Sequence, residues 1–356
     1  MILKSLVLQN FRNYEKAQFN FDKDTIIIVG PNTSGKTNFA EAIYLLSTGK
    51  SFKAEKDKEL IEFGEDSCAI SGLIESQETD GKLEITLAKK DGGSDLGIAK
   101  KYRVNGVSKR IIDFAGNLTL VLFSPEDLDI IIGGPNLRRN LLDNLLEQVD
   151  RDYRNATIVY TKALRQRNAL LDRVRESGER QEKLFEYWDN LLIDNGEVIT
   201  KKREEFIQFI NNSSKEIFDF VAFYDKSMIS AARLLQYKDA EVGAGVTLVG
   251  PHRDDISFSM LSGNSLHDIK SFGSRGQQRL TILQLKLIEL LFIEKIIGQK
   301  PILILDDIFS ELDTEHIKLV FEMVGKQQTF ITTTHKEFIN QKILKNADVI
   351  ELKGRS

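Results

Sequence analysis

The sequence predicts an α/β fold in which a mostly parallel sheet is combined with a helical second lobe. Strand-like apolar runs alternate with helix-compatible stretches toward both ends of the chain, as is typical of parallel sheets flanked by helices. A glycine-rich loop, GPNTSGKT at 30–37, joins the apolar run 25–29 to a stretch that favours a helix. Between residues 136 and 223 there is no proline, and apolar residues recur at spacings of three and four, which predicts long helices.

The composition indicates a globular chain of 356 residues, 41% apolar and 29% charged, long enough for two or three domains. The net charge of −4 excludes nucleic-acid attraction by the molecule as a whole, so any such surface must be a local patch. The single cysteine, Cys68, lies in an apolar alternating run and is interpreted as a small core residue. With no cysteine pair and no apolar run of membrane-spanning length, we expect a cytoplasmic protein.

The individual elements follow from periodicity and turn residues. Predicted strands cover residues 2–8, 17–21, 25–29, 67–75, 83–89, 99–104, 118–123, 246–249, 256–259, 301–305, 329–333 and 349–352. Predicted helices cover residues 36–47, several segments of 136–223, then 274–297 and 315–324. Ser124 before Pro125 and acidic residues is a helix start, and strands give way to helices there. We therefore expect a head of residues 1–125 and 240–356, with a helical lobe of residues 126–239 inserted.

The loop at 30–37 has the spacing G-x-x-x-x-G-K-T of a phosphate-binding P-loop. Its glycines let backbone N–H groups converge on a phosphate chain, and the following helix directs its positive end at that chain. We expect Lys36 to reach the β- and γ-phosphates of ATP and Thr37 to ligate Mg²⁺. The residues predicted to bind ATP are Gly30, Pro31, Asn32, Thr33, Ser34, Gly35, Lys36 and Thr37. The alternative, a chance glycine turn, is disfavoured by the strand before the loop and the helix after it.

An apolar strand at 302–305 ends in Asp306 and Asp307. Beside a P-loop, the first acid holds Mg²⁺ and the second orients or deprotonates the attacking water. An ordinary buried strand with a polar end is the weaker alternative, because adjacent buried carboxylates need a cation or a donor. Glu311 is a second candidate for the catalytic acid. His335 follows the apolar strand 329–333, where it could reach a γ-phosphate, although a lone histidine is usually a packed or surface residue.

A second anion-binding helix start is predicted at SFGSRGQQR, residues 271–279. The alternative is a plain helix cap, since Ser274 suits that position. One chain rarely needs two phosphate-binding helix starts for one nucleotide. A head-to-tail dimer would use both, one from each subunit.

Basic residues are concentrated at 151–180, with eight Lys or Arg against four acids. Such a helix could contact DNA phosphates without reading sequence, but a solvated helix face is an equally good interpretation. No aromatic residues stand at a spacing that suggests base stacking, so duplex backbone contact is favoured. The candidate DNA-binding residues are Arg151, Arg154, Lys162, Arg165 and Arg167.

Together these residues resemble the ABC-type ATPases and, within them, the SMC-like branch. Further stretches are similar to the RecF family of bacterial recombinational-repair proteins: NFRNY at 10–14, FSPEDL at 123–128, GPNLRR at 134–139, GPHRDD at 250–255, SRGQQR at 274–279 and DDIFSELD at 306–313. The resemblance implies an ABC/SMC-like ATPase head and a helical lobe with no long coiled coil.

The resemblance also implies an activity and partners. Members of the family dimerise with ATP bound, engage duplex or gapped DNA, hydrolyse ATP slowly, and act with RecR and RecO to direct RecA onto gaps. In this sequence Arg12, Asn13 and Tyr14 would lie near the nucleotide base or phosphates. Ser274 and Gly276 would contact the γ-phosphate bound by the opposite subunit.

Three positions depart from the family pattern. Thr33 stands where a third loop glycine is usual, and it fits only if its backbone avoids the region that favours glycine. Lys53 replaces a common arginine, so a bidentate contact would be lost while the charge remains. Asp307 has a shorter arm than the glutamate of transporter-type members, and we expect slow turnover.

Two other functions fit parts of the sequence. An ATPase subunit of a membrane transporter is compatible with the P-loop, but the helical insertion and the GPHRDD stretch argue against it. A small-molecule phosphotransferase leaves the Ser274 helix start without a role. ATP-enhanced, sequence-independent DNA binding would distinguish the DNA-repair interpretation from both.

Overall fold

The computed structural model describes residues 1–76, 80–90, 97–263, 265–310, 314–334, 337, 339 and 341–353. The chain divides into two compact units: unit one comprises Met1–Asp127 and Leu285–Ser356, and unit two comprises Leu128–Gln284. Among the described residues, no helix is both long and apolar enough to cross a bilayer.

The described strands are, in chain order, β1 (Ile2–Phe11), β2 (Tyr14–Asn20), β3 (Thr25–Val29), β4 (Ser67–Glu75), β5 (Gly81–Lys89), β6 (Ile98–Val104), β7 (Val107–Lys109), β8 (Leu120–Phe123), β9 (Val221–Asp225), β10 (Asp255–Ser262), β11 (Ser265–Asp268), β12 (Ile302–Asp306), β13 (Thr329–Thr333) and β14 (Asp348–Glu351). The described helices are α1 (Lys36–Thr48), α2 (Ile111–Phe114), α3 (Asp129–Ile132), α4 (Pro135–Val149), α5 (Arg151–Ser177), α6 (Glu182–Asn212), α7 (Ala231–Gln236), α8 (Lys238–Ala244), α9 (Ile269–Phe272), α10 (Arg275–Ile297), α11 (Thr314–Met323) and α12 (Gln341–Asn346).

Unit one contains two sheets. Five strands pair in the order β14-β3-β13-β12-β8, and every neighbouring pair in this sheet is parallel. The other sheet is antiparallel, in the order β2-β1-β4-β5-β6-β7. One apolar core, which includes Phe39 and Ile43 of α1, joins the two sheets. The predicted α/β fold with a mostly parallel sheet is thus confirmed.

The parallel sheet determines where the P-loop and the two acids at the end of β12 lie. Its central strands are continuous apolar runs because both of their faces are buried; β12, for example, is ILILD with every residue buried. Parallel strands place their carboxyl ends at one edge. The loop after β3 and the acids that end β12 therefore belong to the same edge of the sheet.

Unit two is built from α4, α5 and α6 together with a three-stranded antiparallel sheet in the order β11-β10-β9. Asp150 caps the start of α5, because its side chain accepts a hydrogen bond from Tyr153 N, and Gly178 ends the helix at φ +74°. Helices α5 and α6 pack on each other through Leu171, Val174 and Phe185. They have 27 and 31 residues, the longest helices described, so the expected absence of a long coiled coil agrees with the structure.

The limits of the units differ from the predicted head and lobe. The first boundary between the units lies after Asp127, close to the expected residue 125. The second boundary lies after Gln284 instead of residue 239. The reason is that β10 pairs with β9 and β11, not with the parallel sheet. A strand pattern does not disclose the partner of the strand. The run 246–249, predicted as a strand, has no strand structure.

Candidate functional site

The loop at 30–37 connects β3 to α1, and two of its glycines are required by close contacts. A Cβ on Gly35, where φ is +105°, would lie 2.6 Å from Asn13 Nδ2 and 3.0 Å from the Tyr14 hydroxyl. A Cβ on Gly30 would lie 2.5 Å from Ser34 Oγ and 2.8 Å from the Leu352 carbonyl oxygen. Any larger side chain at either position would displace the loop or its neighbours.

Thr33 adopts φ +70°, in the left-handed region that favours glycine. The departure from the family pattern therefore falls at a position where glycine would be the better residue. A β-branched side chain in this region is strained, at a cost of about 1–2 kcal/mol. The Thr33 hydroxyl donates a hydrogen bond to the Asn32 carbonyl at 2.5 Å, which keeps it on its own loop.

Lys36 is buried, and its ammonium donates hydrogen bonds to the carbonyl oxygens of Gly30 at 2.8 Å and Pro31 at 3.0 Å. Burial lowers the pKa of Lys36, and the nearby Asp307 and Asp306 oppose that shift. The cation thus lies against the loop with only neutral oxygens bonded to it. Ser34 Oγ is also buried, and no group of the described residues forms a hydrogen bond with it. These are donors of the kind that a phosphate chain requires.

Asp306 lies at the carboxyl end of β12 and is buried. Its Oδ1 accepts hydrogen bonds from the Thr332 hydroxyl at 2.5 Å and from the Thr37 hydroxyl at 3.4 Å. Burial raises the pKa of Asp306, and the bonds from Thr332 and Thr37 oppose that shift. A buried carboxylate beside a threonine hydroxyl suits Mg²⁺, which takes one or two protein ligands and completes its shell with phosphate and water. Within the described residues no group of three His, Cys, Asp or Glu forms a separate metal site.

Asp307 follows Asp306 directly, at φ +52°. Its backbone N–H donates to both the carbonyl oxygen and the hydroxyl of Thr332, each at 3.1 Å. These bonds to β13 hold the strained backbone in place. The other predicted catalytic residues, Glu311 and His335, lie outside the described residues, so their roles stay predictions.

The turn between β1 and β2 packs on the P-loop. Asn13 Oδ1 accepts a hydrogen bond from Asn38 Nδ2 at 2.8 Å, and the Tyr14 hydroxyl donates to the Gly35 carbonyl at 3.1 Å. Burial raises the pKa of Tyr14, so this hydroxyl stays protonated and able to donate. Of the predicted nucleotide-contacting residues outside the loop, Asn13 and Tyr14 therefore contact the loop or the start of α1 directly.

Arg12 forms an ion pair that the sequence analysis missed. Its Nε and one terminal nitrogen each lie 2.7 Å from a carboxylate oxygen of Glu41, and its other terminal nitrogen donates to the Glu59 carbonyl at 2.9 Å. Glu41 is a lone acid within an apolar stretch of α1 and is fully buried. That isolation is the signal by which sequence reasoning could have singled it out.

Ser274 begins α10 in unit two with a reciprocal cap. Its backbone N–H donates to Gln277 Oε1 at 2.8 Å, and its hydroxyl accepts from Gln277 N at 3.2 Å. Gly276 has open space where a side chain would be, since the nearest atom to an added Cβ is Ser274 Oγ at 3.9 Å. Packing within the chain does not require a glycine there.

The candidate DNA-binding residues of α5 separate into two groups. Arg151, Lys162 and Arg165 are exposed. Their spacings of eleven and three residues place them on one face of the helix. Arg154 is half-buried and donates to the Glu147 carbonyl.

Arg167 is a correction to that set, because its side chain is fully buried. It lies 2.5 Å from Asp189 Oδ1 and 2.7 Å from Glu241 Oε2, and it donates to the Thr247 hydroxyl at 3.0 Å. Its charge is therefore buried in the interior of unit two, where Asp189 and Glu241 compensate it. It therefore has no surface to offer to DNA.

Comparison with known proteins identifies the family of this chain. The model of the RecF/RecN/SMC N-terminal domain family matches residues 2–354. A protein of Shouchella clausii named DNA replication and repair protein RecF is 36% identical over 98% of this chain and 96% of its own. A protein of the same name from Agathobacter rectalis is 38% identical over 94% of this chain and 92% of its own.

Two solved structures are similar over almost their whole length. Both are of the recombination mediator protein RecF in the RecFOR pathway, one described as RecF-ATPrS and one as RecF-ATP. The first has a TM-score of 0.85 and 32% identity, covering 95% of this chain and 94% of that chain. The second has a TM-score of 0.84 and 33% identity, covering 95% and 93%. The predicted ABC/SMC-like P-loop ATPase head with a helical second lobe is confirmed, and the chain belongs to the RecF family within the RecF/RecN/SMC N-terminal domain proteins.

Proposed function

We propose that this chain is an ATP-dependent DNA-binding repair protein whose ATP-bound form is a head-to-tail dimer. ATP closes the dimer on duplex or gapped DNA, and slow, DNA-stimulated hydrolysis reopens it. The observation that carries the proposal is a second helix start suited to an anion, at Ser274 and Gly276, which lies in a different unit from the P-loop. Lys36, Thr37 and Asp306 belong to unit one, whereas Ser274 begins a helix in unit two.

The roles within one subunit follow from the contacts of each side chain. Lys36 exchanges the carbonyls of its own loop for β- and γ-phosphate oxygens, which stabilise its charge better than neutral acceptors. Thr37 and Asp306 would hold Mg²⁺, which would neutralise charge at the phosphates. Asp307, fixed by Thr332, orients the water that attacks the γ-phosphate. His335 is proposed to contact the same phosphate.

The Ser274 hydroxyl remains able to serve a second subunit. It accepts a hydrogen bond from Gln277 N and still has its own proton to donate to a phosphate oxygen. The open space at Gly276 allows close approach of a triphosphate to the start of α10. A ligand that bridges the two subunits favours the closed dimer, since only that form makes both sets of contacts.

DNA is proposed to contact the exposed face of α5. Arg151, Lys162 and Arg165 would bind backbone phosphates without reading sequence. Relatives of this chain are named as DNA replication and repair proteins, and the similar solved structures belong to the RecFOR pathway. We extend to this chain the family's cooperation with RecR and RecO in directing RecA to gapped DNA.

The test is a pair of variants that damage opposite halves of the shared site. Lys36→Ala removes the phosphate-binding cation. Ser274→Asp keeps a good helix cap but places a negative charge where the γ-phosphate would lie. Each variant alone should neither dimerise nor hydrolyse ATP when sized and assayed with ATP, Mg²⁺ and a short gapped duplex.

Mixing the two variants supplies the decisive result. A mixed dimer combines the intact P-loop of one variant with the intact Ser274 of the other, so one ATP site is restored. We expect both dimerisation and hydrolysis to return in the mixture. Two folded variants that fail to complement, or a Ser274→Asp protein that turns over as a monomer at the unmodified rate, would refute the shared site.

A further inference from the structure

Glu41 is a fully buried carboxylate on α1, four residues after Thr37. Its neighbours Phe39, Ala40, Ala42 and Ile43 are all buried and apolar. An ionised carboxyl in such surroundings is retained only where strong donors compensate its lost hydration. None of the roles assigned above uses it.

The donors to Glu41 come from two loops that flank the nucleotide-binding helix. Arg12 approaches it with Nε and one terminal nitrogen, each at 2.7 Å, a side-on bidentate arrangement that fixes the plane of the guanidinium. The Ser51 hydroxyl also donates to Oε1, and it accepts in turn from Lys53 N at 2.9 Å and Ala54 N at 2.6 Å. Arg12 also connects a third segment to this cluster, because its other terminal nitrogen donates a hydrogen bond to the Glu59 carbonyl.

The backbone at Arg12 needs this restraint. Arg12 has φ +55°, a left-handed conformation that is uncommon for a residue with a side chain. Its successors in the same turn, Asn13 and Tyr14, contact the start of α1 and Gly35. The conformation that brings those two side chains to the P-loop is therefore maintained by a salt bridge at its centre.

The ion pair leaves part of Arg12 available. A guanidinium has five N–H groups, and Glu41 and Glu59 take three of them. The Arg12 side chain is 17% exposed while that of Glu41 is fully buried. Two N–H groups of this partly exposed cation are therefore not taken by Glu41 or Glu59, while the edge that faces Glu41 is held by two hydrogen bonds.

We propose that Glu41 is a positioning residue for nucleotide binding. It holds Arg12 so that the two unoccupied N–H groups meet phosphate oxygens of a nucleoside triphosphate, and it keeps the turn at 10–14 in contact with the P-loop. This inference rests on the proposed function and on the expectation, implied by the family resemblance, that Arg12 lies near the nucleotide base or phosphates. Glu41 itself does not touch the ligand.

A double-mutant cycle between the two residues tests the inference. Arg12→Met should weaken ATP binding roughly tenfold, by loss of a charge-assisted contact. Glu41→Gln should weaken it by a similar factor, because the guanidinium is no longer fixed. The combined variant should bind no worse than Arg12→Met alone, since Glu41 acts only through Arg12. The dissociation constant for ATP is measured in each protein by equilibrium titration.

A second readout requires no nucleotide. Hydrogen exchange at the amides of residues 10–14 should accelerate in Glu41→Gln, whereas Ser51→Ala should affect residues 51–54 and leave 10–14 protected. Arg12→Met leaves the buried Glu41 carboxylate without its cation, so the folding of each single variant is measured before its affinity. The combined variant carries no unpaired buried charge and provides the folded reference if either single variant is unstable.

The outcomes separate this inference from the function on which it rests. The positioning role would be overturned if the loss of ATP affinity in the combined variant equalled the product of the two single losses. Unchanged amide hydrogen exchange at residues 10–14 in Glu41→Gln would also overturn it. Unchanged ATP affinity in Arg12→Met, with affinity abolished in Lys36→Ala, would overturn it too while leaving the P-loop site intact. Retained ATP affinity in Lys36→Ala would instead count against the proposed function.

Discussion

The P-loop edge of unit one and the interior of unit two both bury charge, but they compensate it differently. At the P-loop edge Lys36 is bonded to backbone carbonyls and Asp306 to threonine hydroxyls, all neutral partners. In unit two Arg203 contacts Asp143 at 2.8 Å and Asp254 at 2.9 Å, opposite charges on other elements. Lys36, whose hydrogen-bond partners are neutral, is available for a charged ligand, whereas Arg203, paired with two buried or half-buried carboxylates, stabilises the fold.

The largest effect should come from breaking a pair in unit two. Arg167→Ala leaves Glu241, itself fully buried, without its cation, and we expect a loss of about 3–5 kcal/mol in the free energy of unfolding. Arg165→Ala, two residues earlier on the exposed face, should cost less than about 0.5 kcal/mol. Urea denaturation measures both.

The DNA binding of the same two variants also distinguishes an exposed arginine of α5 from a buried one. Arg165→Ala should weaken binding to duplex DNA and reduce its salt dependence, because a phosphate contact is removed. Arg167→Ala should retain both, measured under conditions in which it is folded. A stable Arg167→Ala protein with weakened DNA binding would mean that burial does not separate the two roles.

In unit one the largest effect is expected on the rate of ATP hydrolysis. Asp307→Asn removes the carboxylate that orients water but leaves Lys36, Thr37 and Asp306 in place. ATP should bind with nearly unchanged affinity while hydrolysis slows about a hundredfold or more, and the dimer should stay closed. Single-turnover kinetics separates binding from hydrolysis. Normal turnover would place the catalytic acid elsewhere, with Glu311 as the next candidate.

The interior of unit two should also respond to pH through His252. The Tyr160 hydroxyl lies 2.7 Å from its Nδ1, Nε2 lies 3.1 Å from the Thr247 carbonyl, and burial lowers its pKa to about 4. The unfolded chain, with a histidine pKa near 6.5, therefore binds a proton that the folded chain rejects. The contribution of His252 to the free energy of unfolding should be fully present above about pH 6.5. The free energy of unfolding should then fall by up to about 3 kcal/mol as the pH decreases to 4.

His252→Gln isolates that contribution. Glutamine keeps hydrogen-bonding groups but does not titrate, so the difference between the two stability curves should appear between pH 6.5 and 4. Parallel curves across this range would show that His252 is protonated without cost in the folded protein.

Local sequence signals were enough to select the residues of the candidate nucleotide site, because these residues stand in short motifs. The P-loop and the acids after β12 are each contiguous, and parallel strands bring their ends to one edge. What the sequence did not disclose depends on distant contacts. The burial of Arg167 follows from Thr247, 80 residues further on, and from Asp189 and Glu241. The pairing of β10 with β9 was missed for the same reason.

The smallest expected effect concerns Thr33, where sequence and backbone conformation disagree. Thr33→Gly removes a left-handed β-branched residue, a gain of about 1–2 kcal/mol that the greater freedom of glycine in the unfolded chain reduces. The net stabilisation should be about 0.5–1 kcal/mol, measured by thermal unfolding without nucleotide. Thr33→Ala keeps a Cβ at φ +70° and should gain less. If Thr33→Gly is no more stable than the unmodified protein, the loop relieves the strain by another route, and threonine is as suitable as glycine at this position.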